Sequence, residues 1–438
     1  MGKKVDITDV FNGLGTPTKT YVAQDKGKYE QLLKQGIKEK GTLCLITGSS
    51  KTGKTTLYKK VLSSLGKTPL VVRCDASLDS NDFWKSPLEE IDFSRLKEVS
   101  CTNGNEVEGS AKIGGNIGWG WLAGLIGEVS LGVKSGQSES EIRERIVSKP
   151  SPKHLIPLLH NTNAVLVVED FHYLNEKEQK NIFQQWKSFT DGKVSVIVVG
   201  TTHHGVDLAY ANSDLIGRIQ QIDLKRWEHH DLKEIALKGF EVLKIEPSAT
   251  PIGVISKESA GLPIITQQAC AQLFMDQGLF SVSSGTEITF TRQQAFDALH
   301  NVAVNRYKQF EQWYTRLTTG PRIKARKYNT YELVLTAFSL DPLKFDLKRH
   351  EIDERLTKIG LESSEVPPPA SVNSTLSALA KFQSRSGFEL LEWSKKDQAL
   401  YVVEPAFLFY LRWREARTSF PTLTEFINMF FEARSQNK

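Results

Sequence analysis

Nearly uninterrupted apolar runs alternate with amphipathic, charged stretches through the first half of the chain. Leu43 to Thr47, Leu70 to Cys74, Ala164 to Val168 and Val194 to Val199 are the runs. Strands of this kind are buried on both faces, as in a parallel sheet covered by helices. Before the first run, Lys28 to Lys40 places Tyr29, Leu32, Leu33 and Ile37 on one helical face, so a helix there would cap the sheet. After it, Leu57, Val61, Leu62 and Leu65 recur at helical spacing up to Gly66. Met1 to about Thr20 reads as turn-rich. The pattern predicts an α/β domain.

The stretch from about Ser77 to Pro152 is too long for a plain connection and reads as an insertion. Its middle, Gly114 to Gly136, alternates glycines with Ile117, Trp119 and Trp121, as a hairpin or mobile loop would, serving as a packed decoration or as a contact surface. Beyond Leu224 the period turns helical: Leu232 to Leu243, Gln267 to Phe274 and Gln293 to Gln312 predict a helical module, with a strand-like run at Glu287 to Thr291. A basic connector, Arg322 to Lys327, opens the last module. Helices are expected there at Tyr331 to Phe338, Leu347 to Ile359 and Ser371 to Gln383. Phe388 to Trp393 and Ala399 to Val403 flank the turn Lys395-Lys-Asp397 as a hairpin, and Phe407 to Arg414 closes the module. Three helices and a hairpin make a winged helix. The expected division is 1–225, with an insertion near 77–152, then 226–320 and 321–438. A last stripe of Leu423, Phe426, Ile427, Phe430 and Phe431 would pack on the body or enter a partner's groove.

The chain's 438 residues suit several domains, and 39% hydrophobic with 24% charged residues is a globular composition. Neither a disulfide miniprotein nor a disordered chain fits. Net charge is only +5, too small to name a partner. Between Arg316 and Lys438, 19 Lys and Arg face 15 Asp and Glu, which keeps nucleic acid as an alternative partner without promoting it. Cys44, Cys74, Cys101 and Cys270 form no CxxC pair, as in a reducing, cytoplasmic setting. The start, Met-Gly-Lys-Lys-Val-Asp, lacks a secretory signal's apolar core, and Ile113 to Val133 is too rich in Gly to be expected to cross a membrane.

Gly48-Ser-Ser-Lys-Thr-Gly-Lys-Thr55 satisfies GxxxxGK[ST] between an apolar strand and an amphipathic helix, the context that confirms a phosphate-binding loop. Gly48 and Gly53 permit the backbone angles that turn N–H groups inward, and Ser49, Ser50, Lys51, Thr52 and Thr56 complete the cradle. Lys54 is expected at the β/γ-phosphates of ATP and the Thr55 hydroxyl on Mg²⁺. Asn163-Ala-Val-Leu-Val-Val-Glu-Asp170 is an apolar strand ending in two carboxylates, a Walker B pattern. There Glu169 would hold the metal and Asp170 would polarise the attacking water. At the tip of the next strand, Thr201 or Thr202 would orient water or touch the γ-phosphate. His203 and His204 read as surface residues.

The phosphate loop, Glu169-Asp170, Gly200-Thr-Thr202 and Arg218 in Asp-Leu-Ile-Gly-Arg-Ile occur in the order of AAA+ ATPases, which the chain resembles over roughly Gly27 to Arg414. Gly261-Leu-Pro263 is similar to the GxP motif of the STAND branch, near archaeal-type origin-recognition ATPases. The resemblance implies a P-loop NTPase domain followed by a helical lid and a winged helix, an ATP/ADP switch, slow hydrolysis and homo-oligomerisation or a separate effector protein. It places Pro263 at the nucleotide and Arg218 as an arginine finger for a neighbouring subunit. A local ion pair, for instance with Asp214, is the alternative for that arginine. Two departures stand out. The acids run Glu-Asp rather than Asp-Glu, and the lid has no second-sensor Arg or Lys near Gly261. The first predicts slow hydrolysis, and the second favours a STAND-like switch over a remodelling motor. A role in defence or stress signalling rests on analogy, and a DNA-loading ATPase of the origin-recognition or transposition-regulator type is the alternative.

Overall fold

The computed structural model describes residues 4–13, 19–90, 150–160, 163–200, 215–283, 286–319, 328–340, 342–358, 366–386 and 390–416. By packing, the chain divides into two units: residues 23–48 with 53–225, and residues 1–22 with 49–52 and 226–438. The N-terminal stretch, expected as turns, holds strand β1 (Lys4–Asp6) and a one-turn helix α1 (Ile7–Val10), both in the second unit.

In the first unit, α2 (Lys28–Lys38) precedes β2 (Leu43–Gly48), α3 (Lys54–Ser64), β3 (Thr68–Arg73), α4 (Ser80–Glu90) and α5 (Pro152–His160). β4 (Ala164–Glu169), α6 (Glu176–Asp191), β5 (Val196–Val199) and β6 (Ile219–Leu224) complete it. The five strands are all parallel, in the order β3-β4-β5-β2-β6. Side chains alternate between two cores: Leu43 and Leu45 of β2 join Leu166 and Val168 on one face, while Cys44 and Ile46 join Val165 and Val167 on the other. Both faces are dry, which explains the unbroken apolar runs. β6 has no counterpart among the predicted strands because Gln220, Gln221 and Asp223 interrupt it. It is the sheet's edge and tolerates them. β2 leads to β3 on one side while β5 leads to β6 on the other, so the connections part at the carboxyl end of β2. Sheets of this kind bind ligands there.

The second unit continues with α7 (His229–Leu243), α8 (Ala249–Glu258), α9 (Pro263–Met275), β7 (Ser281–Ser283), α10 (Arg292–Arg306) and α11 (Gln309–Thr319). Its last part has α12 (Thr330–Ser339), β8 (Asp346–Lys348), α13 (Arg349–Lys358), α14 (Pro369–Ser386), β9 (Leu391–Ser394), β10 (Ala399–Val402) and α15 (Ala406–Trp413). β7 pairs with β1, and β8-β10-β9 is an antiparallel sheet. One apolar core runs from Phe11 and Phe240 through Phe274 and Phe296 to Leu400 and Trp413.

Three expectations are corrected here. Glu287 to Thr291 forms no strand, because Thr291 caps α10 in a capping box with Gln294. The single helix over Gln293 to Gln312 is two, broken where Tyr307 and Phe310 stack at 5.8 Å and bury themselves at the turn. The helix expected from Leu347 begins only at Arg349, since Leu347 belongs to β8 opposite Leu400. The Gly114 to Gly136 segment, Ile113 to Val133, the connector Arg322 to Lys327, His203 and His204, and the stripe from Leu423 lie outside the described residues. Among the described residues, no helix is long and apolar enough to cross a membrane.

Candidate functional site

The phosphate loop follows from its backbone. Gly48, Lys51 and Gly53 all have positive φ, at 146°, 63° and 98°. Glycine takes such angles freely, whereas a lysine in the left-handed region costs about 1–2 kcal/mol. Gly53 is the N-cap of α3, so that helix starts at Lys54 with its N–H groups facing the loop. Thr52 Oγ1 donates to the Ser49 carbonyl at 2.9 Å, closing the loop on itself. Lys54 Nζ donates to the Gly48 carbonyl at 2.8 Å. Burial pushes the Lys54 ammonium down to about 8, with the negative charge of Asp170 working in the opposite direction. A phosphate beside it would add negative charge and favour the charged ammonium.

Glu169 ends β4, and α3 brings the Thr55 hydroxyl to it: Thr55 Oγ1 donates to Glu169 Oε1 at 2.8 Å. Tyr58, one helical turn further on, donates to the same oxygen at 3.0 Å, and Arg73 Nε lies 3.4 Å from Oε2. Arg73 is there because it is paired in register with Glu169 across β3 and β4. Desolvation, followed by the Glu169 charge, raises the Tyr58 hydroxyl above its ordinary value, keeping it a donor. A carboxylate and a hydroxyl oxygen at one spot are hard donors of the kind Mg²⁺ takes alongside phosphates and water. Thr55 and Glu169 therefore fit a Mg²⁺ shared with a phosphate; among the described residues no group of three or more His, Cys, Asp or Glu could hold a metal. Asp170 follows in a left-handed conformation, φ 60°, at the N-cap of a short 3-10 turn. Aspartate tolerates that conformation better than most residues.

Gly48, Lys54, Thr55, Thr56, Glu169 and Asp170 therefore gather at the carboxyl end of the sheet, on β2, α3 and β4. Gly200 is there too, its N–H bonded to the Ile46 carbonyl at 3.0 Å, while Thr201 and Thr202 fall outside the described residues. Arg218 is not among them. It precedes β6, and its carbonyl accepts from the Leu43 N–H where β2 begins, at the opposite end of the sheet. A six-residue strand separates it from Gly48, about 20 Å. Its guanidinium pairs with Asp191 at 2.9 Å, both side chains largely exposed, and Asp214 is outside the described residues.

In the second unit the loop tip, residues 49–52, meets groups distant in sequence. Trp227 Nε1 donates to the Thr52 carbonyl at 2.8 Å, and Trp227 N–H to the Gly261 carbonyl at 3.3 Å. Gly261 has φ +70°, and a Cβ there would lie 3.1 Å from Arg226 Cβ. Pro263 is the first residue of α9. Lys51 Nζ donates to Glu404 Oε1 at 2.8 Å. Sequence reasoning missed Tyr58, Arg73 and Trp227, and it noted Glu404 only within Glu404-Pro-Ala-Phe407 of the winged-helix resemblance, with no role at the loop. Tyr58 had a signal, being three residues past Thr55 on the same helical face. The other three depend on strand register or on long-range packing and have none.

Residues 37–204 match the family model described as an AAA domain. A comparison with curated proteins found no match. Among solved structures, a Walker-type ATPase of Pyrococcus abyssi is similar at 15% identity and a TM-score of 0.52, covering 92% of this chain and 99% of that one. The Aeropyrum pernix Orc1 protein, solved with DNA, aligns at 14% identity and a TM-score of 0.40 over 93% of this chain and 95% of its own. The Thermotoga maritima RuvB branch-migration motor aligns at 13% and 0.37 over 88% and 94%. Matched AAA segment, parallel strand order and phosphate loop agree on one fold: an α/β P-loop NTPase on a five-stranded parallel sheet.

Proposed function

We propose that the protein is an ATP-binding switch of the AAA+ class that hydrolyses ATP slowly and changes conformation and assembly with its nucleotide. The observation that carries this reading is the Thr55–Glu169 contact of 2.8 Å beside a complete phosphate loop. Ser49 to Thr52 and the first turn of α3 would hold the phosphates, Lys54 would neutralise them, and Thr55 and Glu169 would hold Mg²⁺. The metal supplies charge neutralisation at the phosphates. Asp170 would accept a proton from water, being one residue beyond the strand end, and Thr201 would orient that water. The exchanged order Glu-Asp puts the longer side chain on the metal and the shorter on the base, which is the reason to expect slow turnover.

Arg218 would act in assembly. A residue at the far end of its own sheet serves a phosphate only in a neighbouring subunit, as an arginine finger in trans. On this reading 226–320 is a helical lid, carrying Pro263 toward the nucleotide, and 321–438 a winged helix, supported by the α12, α13, α14 set and the β8-β10-β9 sheet. A STAND-like signalling switch with a separate effector is the favoured use. DNA is the alternative partner, and the exposed Lys395 and Lys396 at the β9–β10 turn are the groups that would face it.

The test is nucleotide binding and turnover in Lys54→Ala and Asp170→Asn. Loss of ATP binding in the first, and retained ATP with turnover down by about 10²–10⁴ in the second, are expected. Undiminished hydrolysis in both would overturn the assignment. A mass measurement with a non-hydrolysable ATP analogue decides assembly, since a monomer in every nucleotide state excludes Arg218 in trans. Salt-sensitive DNA binding with DNA-stimulated hydrolysis would transfer the function to the alternative.

A further inference from the structure

Lys51 stands at a position whose backbone favours glycine, with φ 63°, on the tip of the phosphate loop. The conformation is costly for a lysine, so the side chain's contacts show what the residue contributes there. Its ammonium donates to Glu404 Oε1 at 2.8 Å and lies 6.0 Å from the centre of the Tyr307 ring. Glu404 immediately precedes α15, and the same Oε1 accepts the Ala406 N–H at 3.3 Å. Both charged side chains are partly exposed, 31% for Lys51 and 20% for Glu404. A pair exposed to that degree is held weakly enough to be exchanged for a stronger anion.

We propose that Glu404 is an exchangeable counter-ion of Lys51, so that a nucleoside triphosphate at the loop competes with Glu404 for the Lys51 ammonium. This rests on the phosphate-binding reading of the loop. A polyphosphate brings several negative charges to the loop tip. A carboxylate fixed there repels them unless Lys51 shifts its bond from carboxylate to phosphate. Glu404 is then released together with the start of α15. The pair thereby lowers affinity for the most highly charged nucleotide and reports its arrival to α15.

The test uses the full chain and a fluorescent ATP analogue, with adenosine and AMP as weakly charged controls. Glu404→Gln keeps the shape and the acceptor for Ala406 N–H but removes the charge. It is expected to tighten ATP roughly fivefold while leaving adenosine and AMP unchanged. Lys51→Ala is expected to weaken ATP, and in the Lys51→Ala background Glu404→Gln is expected to change nothing. A Glu404→Gln protein with wild-type ATP affinity, or one whose gain survives Lys51→Ala, overturns the proposal. Lys54→Ala separates the two readings: if it leaves ATP binding intact, the loop assignment itself fails, and if it abolishes binding while Glu404→Gln is neutral, only the counter-ion does. Thermal melting of each variant checks that it is folded.

Discussion

The Thr55 hydroxyl and the Glu169 carboxylate meet at 2.8 Å although 114 residues separate them. The contact exists because β2 and β4 end at the same edge of one parallel sheet and α3 starts immediately above it. Tyr58 donates to the same carboxylate oxygen at 3.0 Å and so fixes which way Glu169 faces. Tyr58→Phe is expected to weaken Mg²⁺ dependence of ATP hydrolysis roughly tenfold, in the range seen when a partner of a metal ligand is removed. The check is the Mg²⁺ concentration giving half-maximal turnover. An unchanged value would mean that Tyr58 only fills space.

The Lys54 ammonium, lowered to about 8 by burial, predicts a pH effect of definite sign. Between about pH 8 and the ordinary lysine range the unfolded chain holds a proton that the folded chain does not, so this group's contribution to stability rises with pH across that window. Below it, the folded protein carries a desolvated charge at full cost. Lys54→Met removes that cost, so its melting temperature is expected to exceed the wild type's most at pH 7, with the gap narrowing toward pH 10. ATP affinity of the wild type is expected to fall over the same rise in pH, as the ammonium is lost. A melting gap independent of pH would show that Lys54 does not titrate there.

Glu258 at the end of α8 and Arg412 in α15 form a buried ion pair, their side chains 1% and 4% exposed. Arg412 reaches both carboxylate oxygens, at 3.0 and 3.1 Å, and Trp413 Nε1 donates to Glu258 Oε2 at 3.1 Å. Glu258→Ala removes the carboxylate that holds the buried guanidinium, and a loss of about 3–5 kcal/mol is expected in urea unfolding of the second unit. Glu258→Met with Arg412→Met removes both charges and should restore most of it. If the double variant is no better than the single one, the pair's charge is not what the helices depend on.

Gly239 in α7 is the seat of the N-terminal segment. A Cβ there would lie 2.1 Å from the Phe11 ring, closer than any real contact, and Phe11 is itself 2% exposed. Gly239→Ala is expected to expel Phe11 and expose residues 4–13 to protease, with a cost of about 3–5 kcal/mol as for loss of a buried phenylalanine. Phe11→Ala should behave alike, and the double variant should cost little more than either one. Full additivity would place the two effects at separate sites.

Local pattern determined much of this protein. The apolar runs located β2 to β5 because strands covered on both faces admit few polar residues, and the glycines of the phosphate loop were readable because their backbone angles are required locally. The same reasoning failed at β6, where an edge position excuses Gln220, Gln221 and Asp223 from burial, and at Thr291, whose capping role competes with its strand propensity. Tertiary structure alone decided the rest. It paired β1 with β7, some 275 residues away, and seated Phe11 on Gly239. It put Arg218 at the far end of the sheet from the phosphate loop, and brought Glu404 to Lys51 across 353 residues. Register and long-range packing depend on which surfaces remain after every local element has formed, so no window of sequence contains them.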